Sequence, residues 1–381
     1  MSDRDPGQPT DQLLSGLMKD LYDCAIANHG KMSRGWRFPQ FLKELSTLLY
    51  LLTGKLTYVF LSTNLPIPSL TTVKSHLQST RIIREGEFRI AELKTYLVSR
   101  NEPLKVYLSE DATRSISKVQ YHSETNQVVG PVPPLDVNGC PIVGSFPATS
   151  SAVIAEYFTR QRSTCVYTIM AQPLGGSPPF CLAFFGTDNR FSSLDVMKRM
   201  EWSKEALEAD GIEVIGNSSD GDCRCLKVMR VKTLLPNPKS PWKWFQANLN
   251  VKHFYFQDFV HLLVKLKSRL LTPSIILPLG PKLLATSGHL AELMAVVQRD
   301  QRELTPSFLD NKDKMNFKAA DSISKKKVSD LLRSNVIESE GTATYLEMMR
   351  EIFLALADSS LSPQQRIQML WGWLFIPPHL A

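Results

Sequence analysis

Apolar residues recur at helical spacing up to residue 100 of the chain, and strand-like patterns begin at residue 104. Helices are predicted at 11–28, 38–52, within 65–80 and at 85–100. In the third segment two prolines precede possible caps at Ser69 and Thr71. Three or four short helices are consistent with either a helix-turn-helix-like module or a plain helical scaffold.

The middle of the chain predicts a mixed sheet covered by helices. Strands are predicted at 104–110, in a hairpin at 115–132 that turns at 124–126, at 163–174, 212–218 and 254–256, and within 178–193, where the strand closes on a turn. Helices are predicted near 151–161, at 194–211 and after residue 258. From residue 275 onward the pattern is mostly helical.

Several of these strands end in acidic residues. Asp111 follows the first strand, Asp220 follows the strand at 212–218, and Asp258 follows the strand at 254–256. Around Asp220 the sequence "GNSSDGD" fits an ordinary turn, because Asp and Gly are turn residues. It equally fits a site at the carboxyl end of a central strand, where open α/β sheets place their ligands.

Composition is that of a soluble globular protein, with 43% hydrophobic and 21% charged residues. The most apolar stretch, 41–54, contains Lys43 and Glu44 and predicts a buried amphipathic helix rather than a membrane span. Residues 1–12 predict a short disordered lead without a secretion signal. The net charge of +7 is compatible with a polyanionic partner without establishing one.

Six irregularly placed cysteines indicate a reducing compartment rather than a disulfide framework. Cys223 and Cys225 have no second Cys or His pair at zinc-ligand spacing.

A succession of motifs resembles the ribonuclease H-like catalytic domain of P-element-type transposases, the group that includes the THAP-domain transposases. The motifs, in order, are "SEDATRSISKVQYHSETNQVVGPV", "YTIMAQPL" with "PPFCLAFFGTD", "VIGNSSDGDCRCLKVM", "YFQDFVHLLVKLKSRLL" and "LDNKDKMNFKAADSIS". Each is weak alone, but their common order over residues 30–350 is specific.

The resemblance implies an α/β fold: an RNase H-like mixed sheet flanked by helices, with a helical N-terminal module and a mostly helical C-terminal region. The implied domains are 13–100, helix-turn-helix-like; 101–335, catalytic; and 336–381, a C-terminal helical segment. That last segment ends in "MLWGWLFIPPHLA", whose apolar side chains suggest either truncation or a partner surface.

In this family three carboxylates on the sheet hold two Mg²⁺ ions, with Mn²⁺ as a substitute, for attack on a DNA phosphodiester. The motifs assign Asp111 and Asp220 to two of these carboxylates. Asp313 is the preferred third, with Asp310 and Glu303 as rivals.

The resemblance also assigns roles to residues at the start of the helix that follows residue 258 and along it. Asp258 and His261 match a D-x-x-H position of the family, although His261 equally fits a buried helix histidine. Lys265 and Arg269 share one helix face and fit either phosphate contacts or a solvated surface.

Departures from the family leave two functions open. No ligands for the THAP zinc finger are present, and the GTP-binding insertion is missing. The protein is therefore interpreted as a transposase-derived nuclease and strand transferase, or as a domesticated or decayed relative that binds DNA or protein without cutting. A third reading is an α/β protein whose carboxylates only cap turns. The resemblance also implies a nuclear location and a homo-oligomer.

Overall fold

The computed structural model describes residues 9–32, 35–79, 83–234, 252–302 and 304–373. Residues 1–8 of the expected lead and residues 374–381 of the apolar C-terminus lie outside these ranges. The chain divides into two compact units, one ending at Arg84 and the other beginning at Glu85.

The described part of the N-terminal unit consists of helices. They are α1 (Pro9–Asn28), α2 (Gln40–Asn64) and α3 (Leu70–Ser79). Tyr58, Ile67 and Val73 form the buried core of this unit. The hydroxyl of Tyr58 donates a hydrogen bond of 2.6 Å to the Pro68 carbonyl, which satisfies the polar end of a buried ring.

Helix α2 is longer than the sequence pattern predicts. It continues past residue 52 through a kink at Gly54, whose φ of 77° costs glycine little. Within 41–54 only Leu42 and Ser46 are buried, so the prediction of a buried helix is wrong for most of this stretch. By length and composition alone α2 is capable of crossing a membrane, which is weak support for a span.

The second unit contains the strands. In chain order they are β1 (Lys105–Arg114), β2 (Gln120–His122), β3 (Gln127–Val129), β4 (Cys165–Pro173), β5 (Phe180–Thr187), β6 (Glu213–Ser219), β7 (Phe254–Gln257), β8 (Leu277–Gly280) and β9 (Leu283–Ala285). Its helices are α4 (Ile90–Ser99), α5 (Ser151–Thr159), α6 (Ser193–Ala209), α7 (Cys223–Thr233), α8 (Phe259–Leu270), α9 (Ser287–Val296), α10 (Arg299–Arg302), α11 (Phe317–Ile323), α12 (Lys326–Asn335), α13 (Glu340–Ala357) and α14 (Pro363–Trp373), with a 3₁₀ turn at Pro306–Phe308.

The main sheet has the strand order β5-β4-β1-β6-β7. β4 pairs antiparallel with β1 and β5, whereas β6 pairs parallel with β1 and β7. Since parallel strands end at the same edge of a sheet, the carboxyl ends of β1, β6 and β7 lie side by side. The mixed sheet flanked by helices that the sequence predicts is confirmed.

The hairpin β2–β3 differs from the expectation. It does not join the main sheet but forms a separate two-stranded sheet. Val119 and Val128 of this segment pack with Phe146 and Tyr157 in a small core of their own. The segment between β1 and β4 is therefore an inserted module.

Two larger cores hold the second unit together. Under the sheet, Leu93 and Leu97 of α4 pack with Val106 and Leu108, which alternate along β1 as a strand with one buried face requires. The C-terminal helices, α8 and the β8–β9 hairpin enclose the other core. That short hairpin was not expected in a mostly helical region, and Lys282 at its turn has a φ of 65°.

Candidate functional site

Two predicted carboxylates come together at the carboxyl edge of the main sheet. In the parallel pairing of β1 and β6, Glu110 lies opposite Ser219, so Asp111 and Asp220 each follow directly on that pair. Adjacent strands are about 4.8 Å apart. Both residues line one recess of about 60 Å³. Its lining residues are Glu110, Asp111, Ala112, Tyr167, Asn189, Phe191, Asp220, Asp222, Arg224 and Cys225.

Asp111 lies inside β1 rather than after it. The strand continues past the end of β6 because β4 still pairs with it, with Asp111 opposite Thr168. The Asp111 side chain is exposed, and its Oδ1 accepts a hydrogen bond of 2.7 Å from the Ala112 amide. One oxygen of the Asp111 carboxylate is thus held by the backbone.

Asp220 begins the tight loop between β6 and α7. Its Oδ1 accepts a hydrogen bond of 2.8 Å from the Asp222 amide. Gly221 has a φ of +76°, in the left-handed region that favours glycine, so any other residue would strain the loop. Asp220 therefore both shapes the turn and lines the recess, so the turn and the site are not alternatives.

Asp222 and Arg224 close one side of the recess. Asp222 caps α7 by accepting from the Arg224 amide, and the Arg224 guanidinium pairs with both of its carboxylate oxygens at 2.8 and 2.9 Å. This pairing with Arg224 lowers the pKa of Asp222. Arg224 also donates to Asn189 and stacks on Phe191, with 4.4 Å from its Cζ to the ring centre. The pair therefore fixes the loop after β5 beside the carboxylates.

A charged network is buried beneath the recess. Arg199 of α6 and Glu110 of β1 form an ion pair of 3.4 Å, and both side chains are 0% exposed. The Tyr167 hydroxyl donates to the same Glu110 oxygen at 2.6 Å. Burial and the Glu110 charge raise the pKa of Tyr167 well above 10, so the hydroxyl remains a donor.

Asp258 lies next to Asp220 along the same edge. Its amide donates to the Ser219 carbonyl at 2.7 Å. Its side chain is already used locally, because Oδ1 caps α8 through the Val260 amide at 2.8 Å and Oδ2 lies 3.0 Å from His261 Nδ1. Asp258 and His261 therefore form a pair at the start of α8, and any role in chemistry stays a prediction.

The cations predicted to meet DNA lie further along α8. Lys265 Nζ donates to the carbonyls of Gly221 and Asp220 at 2.7 and 3.2 Å, so it supports the loop that carries Asp220. Arg269 is partly buried on the same helix. Their contact with phosphate stays a prediction.

The third acid does not join the first two. Asp313 is exposed in the loop before α11, where its backbone carbonyl accepts from Lys267 Nζ at 3.0 Å. Asp310 is exposed and accepts from the Lys312 amide at 3.0 Å, and Glu303 lies outside the described residues. In the described part of the chain, no group of three or more His, Cys, Asp or Glu side chains is arranged to hold a metal ion.

Sequence reasoning missed the network of Glu110, Tyr167 and Arg199. Two signals could have indicated it. Glu110 continues the buried alternation of Val106 and Leu108 in β1, and Arg199 occupies a core-facing position of an amphipathic helix. A charge on a buried face requires a partner, so two such charges predict each other.

Comparison with known proteins bears on the fold. No family model matches the chain, and no curated protein matches it in sequence. The solved Drosophila P element transposase strand transfer complex is similar in structure, with a TM-score of 0.59 and 17% sequence identity over 96% of this chain and 79% of that chain. At this identity the match establishes a shared fold. The predicted RNase H-like fold class is thereby confirmed.

Proposed function

We propose that this protein is a transposase-derived, Mg²⁺-dependent enzyme that cleaves and joins DNA strands, with Asp111 and Asp220 as metal ligands. The observation that carries the proposal is the adjacency of these two carboxylates in one recess at the carboxyl edge of an RNase H-like sheet. A fold shared with a transposase from a strand transfer complex supports DNA as the substrate.

The donor set suits Mg²⁺. This ion prefers oxygen ligands and is commonly bound through one or two carboxylates, with water and substrate phosphates completing its shell. Asp111 is exposed and Asp220 partly buried, so both can be reached from solvent. When bound, Mg²⁺ would stabilise the charge that develops on the attacking and leaving oxygens of a phosphodiester.

The chain's own residues would hold this site in shape. The Ala112 and Asp222 amides each fix one oxygen of a carboxylate. Lys265 supports the Asp220 loop from below through two backbone carbonyls. In the described part of the chain these hydrogen bonds use one oxygen of each carboxylate, and the other oxygen is the one proposed to bind the cation.

One observation favours a second function, DNA binding without cleavage. Among the described residues, no third His, Cys, Asp or Glu side chain is arranged with Asp111 and Asp220 to hold a metal ion. A relative of a transposase that has lost cleavage would keep the fold and its DNA-facing surface while the full ligand set is no longer assembled.

Nicking of duplex DNA in Mg²⁺ or Mn²⁺ separates these functions. Wild type should nick supercoiled plasmid, whereas Asp111→Asn and Asp220→Asn should each lower the rate at least about 100-fold, because each removes a ligand charge without changing its shape. Glu205→Gln, an exposed acid on α6, is the matched control and should nick like wild type.

The same duplex is used in a mobility-shift assay. Wild type that binds the duplex but never nicks it supports the non-catalytic alternative. Nicking that persists in both aspartate variants would refute the proposed site. A wild type that neither binds nor cuts DNA would refute both functions.

A further inference from the structure

The buried ion pair of Glu110 and Arg199 is not explained by stability. Both side chains are fully buried, yet Arg199 Nε and Glu110 Oε1 have no hydrogen-bond partner among the described residues. Replacing a buried pair of this kind with apolar residues is often neutral or stabilising, because each ion loses its hydration. A pair that is incompletely satisfied next to a candidate metal site therefore suggests a functional role.

The two oxygens of Glu110 have different surroundings. Oε2 accepts from the Tyr167 hydroxyl at 2.6 Å and from Arg199 Nη2 at 3.4 Å. Oε1 accepts from no described residue and the Glu110 side chain is 0% exposed, although the residue lines the recess together with Asp111 and Asp220. A buried carboxylate oxygen without a donor is costly, so it calls for a donor that enters the recess.

Arg199 is held so firmly that it can fix the Glu110 side chain. Its Nη1 donates to the Gly139 carbonyl at 3.1 Å. Its Cζ lies 4.6 Å from the ring centre of Tyr167, 5.2 Å from that of Phe191 and 5.5 Å from that of Phe185. Because these contacts come from several segments of the chain, they hold the Arg199 guanidinium in place. Arg199 hydrogen-bonds to Oε2 of Glu110, which leaves Oε1 able to accept from another donor.

We propose that Glu110 Oε1 accepts hydrogen bonds from the hydration shell of the cation held by Asp111 and Asp220, and that Arg199 positions Glu110 for this contact. Mg²⁺ and Mn²⁺ ions that have few protein ligands retain bound water molecules. Residues that contact the metal's ligands, rather than the metal, orient those ligands and change the affinity for the metal. This inference rests on the proposed function, because it requires a cation at Asp111 and Asp220.

The test is Mn²⁺ binding by the full-length protein, measured without DNA from the EPR signal of free Mn²⁺. Asp111→Asn should abolish the binding at this site. Glu110→Gln, and the double variant Glu110→Gln with Arg199→Met, should each weaken binding about 10-fold. Glu102→Gln is the matched control, because Glu102 lies before the start of β1 and its Oε1 accepts a hydrogen bond from the Ser177 amide. The Mn²⁺ affinity of this variant should remain within twofold of wild type.

Thermal unfolding of the same samples separates positioning from a purely structural role. Glu110→Gln alone leaves the buried Arg199 charge without its partner, so its Tm should fall. The double variant removes both buried charges, so its Tm should be close to that of wild type while its Mn²⁺ affinity stays low. If Tm and Mn²⁺ affinity both return to wild-type values in the double variant, the pair is structural and the inference fails.

Failure of the proposed function has a different signature. If Asp111→Asn binds Mn²⁺ as well as wild type does, the metal site itself is refuted and this inference with it. If Asp111→Asn loses Mn²⁺ and Glu110→Gln does not, only the role of Glu110 is refuted.

Discussion

Arg224 joins the loop after β5 to the start of α7, and its removal should destabilise this side of the recess. The guanidinium donates to both oxygens of Asp222, to the carbonyls of Asn189 and Phe191, and to the Asn189 side chain, at distances from 2.5 to 3.2 Å. Its side chain is 19% exposed, so these bonds are only partly open to water.

The size of the effect follows from these contacts. A hydrogen bond to a charged group contributes about 1.5–3 kcal/mol net, and bonds that share one guanidinium do not add. Partial exposure allows water to replace some of them. Arg224→Ala should therefore lower the free energy of unfolding by about 2–4 kcal/mol. Arg224→Lys should recover only a small part, because lysine cannot pair with both oxygens of Asp222.

Urea unfolding followed by fluorescence measures this difference. The midpoint should fall at an unchanged slope, which indicates a change in stability rather than in the surface exposed on unfolding. The matched control is Arg190→Ala in the same loop, because Arg190 is 78% exposed and pairs with Asp188 only at 3.6 Å. It should change stability by less than about 0.5 kcal/mol. Equal, small effects of both substitutions would refute the role assigned to Arg224.

Other predictions concern titration, backbone and packing. Burial lowers the pKa of His253 below 6.5, so the unfolded state binds more protons in this range; stability should fall as the pH drops from about 6.5 through the folded-state pKa, and less so in His253→Gln, as measured by Tm at successive pH values. Gly139→Ala should lower Tm more than Gly176→Ala, since both have positive φ but only Gly139 would place a Cβ 2.3 Å from a backbone carbonyl oxygen. Leu108→Ala should cost about 2–5 kcal/mol in urea unfolding, whereas Leu174→Ala, 49% exposed, should cost less than about 0.5 kcal/mol.

Local patterns were sufficient to predict most elements of the second unit. β4 is rich in β-branched residues, and α6 begins with a capping box in which Ser192 and Asp195 satisfy each other's backbone amides. Strand order was less accessible, because pairing depends on contacts between distant segments. For this reason the hairpin β2–β3 was assigned to the main sheet, although it forms its own.

The extent of α2 was missed for a different reason. Its pattern weakens at Gly54, where a helix ordinarily ends, and the helix resumes beyond the kink because Tyr58 anchors the second half in the core of the N-terminal unit. The sequence indicates the interruption, but only packing decides whether the helix resumes beyond it.

For the site, the order of the motifs located Asp111 and Asp220, and the parallel pairing of β1 with β6 brings them together. The pair formed by Glu110 and Arg199 could not be read from motifs, because the partners are 89 residues apart and depend on how α6 packs against the sheet. Motifs of neighbouring residues can be recognised in a sequence, whereas the role of a buried charge can be assigned only when its partner in the fold is known.

Helix α8 explains why the third acid stands apart. Successive residues of an α-helix are rotated by about 100°, so Lys265 and Lys267 lie on nearly opposite sides of α8. Lys265 supports the loop of Asp220, and Lys267, fully buried, holds the backbone of Asp313. Lys265 and Lys267 thus contact two different loops, that of Asp220 and that of Asp313. Moving the Asp313 loop away would take this hydrogen bond from a buried ammonium group, so the contact opposes such a movement. In the proposed function, a cation at Asp111 and Asp220 would complete its shell with water and substrate phosphate, and Glu110 would contact only the bound water.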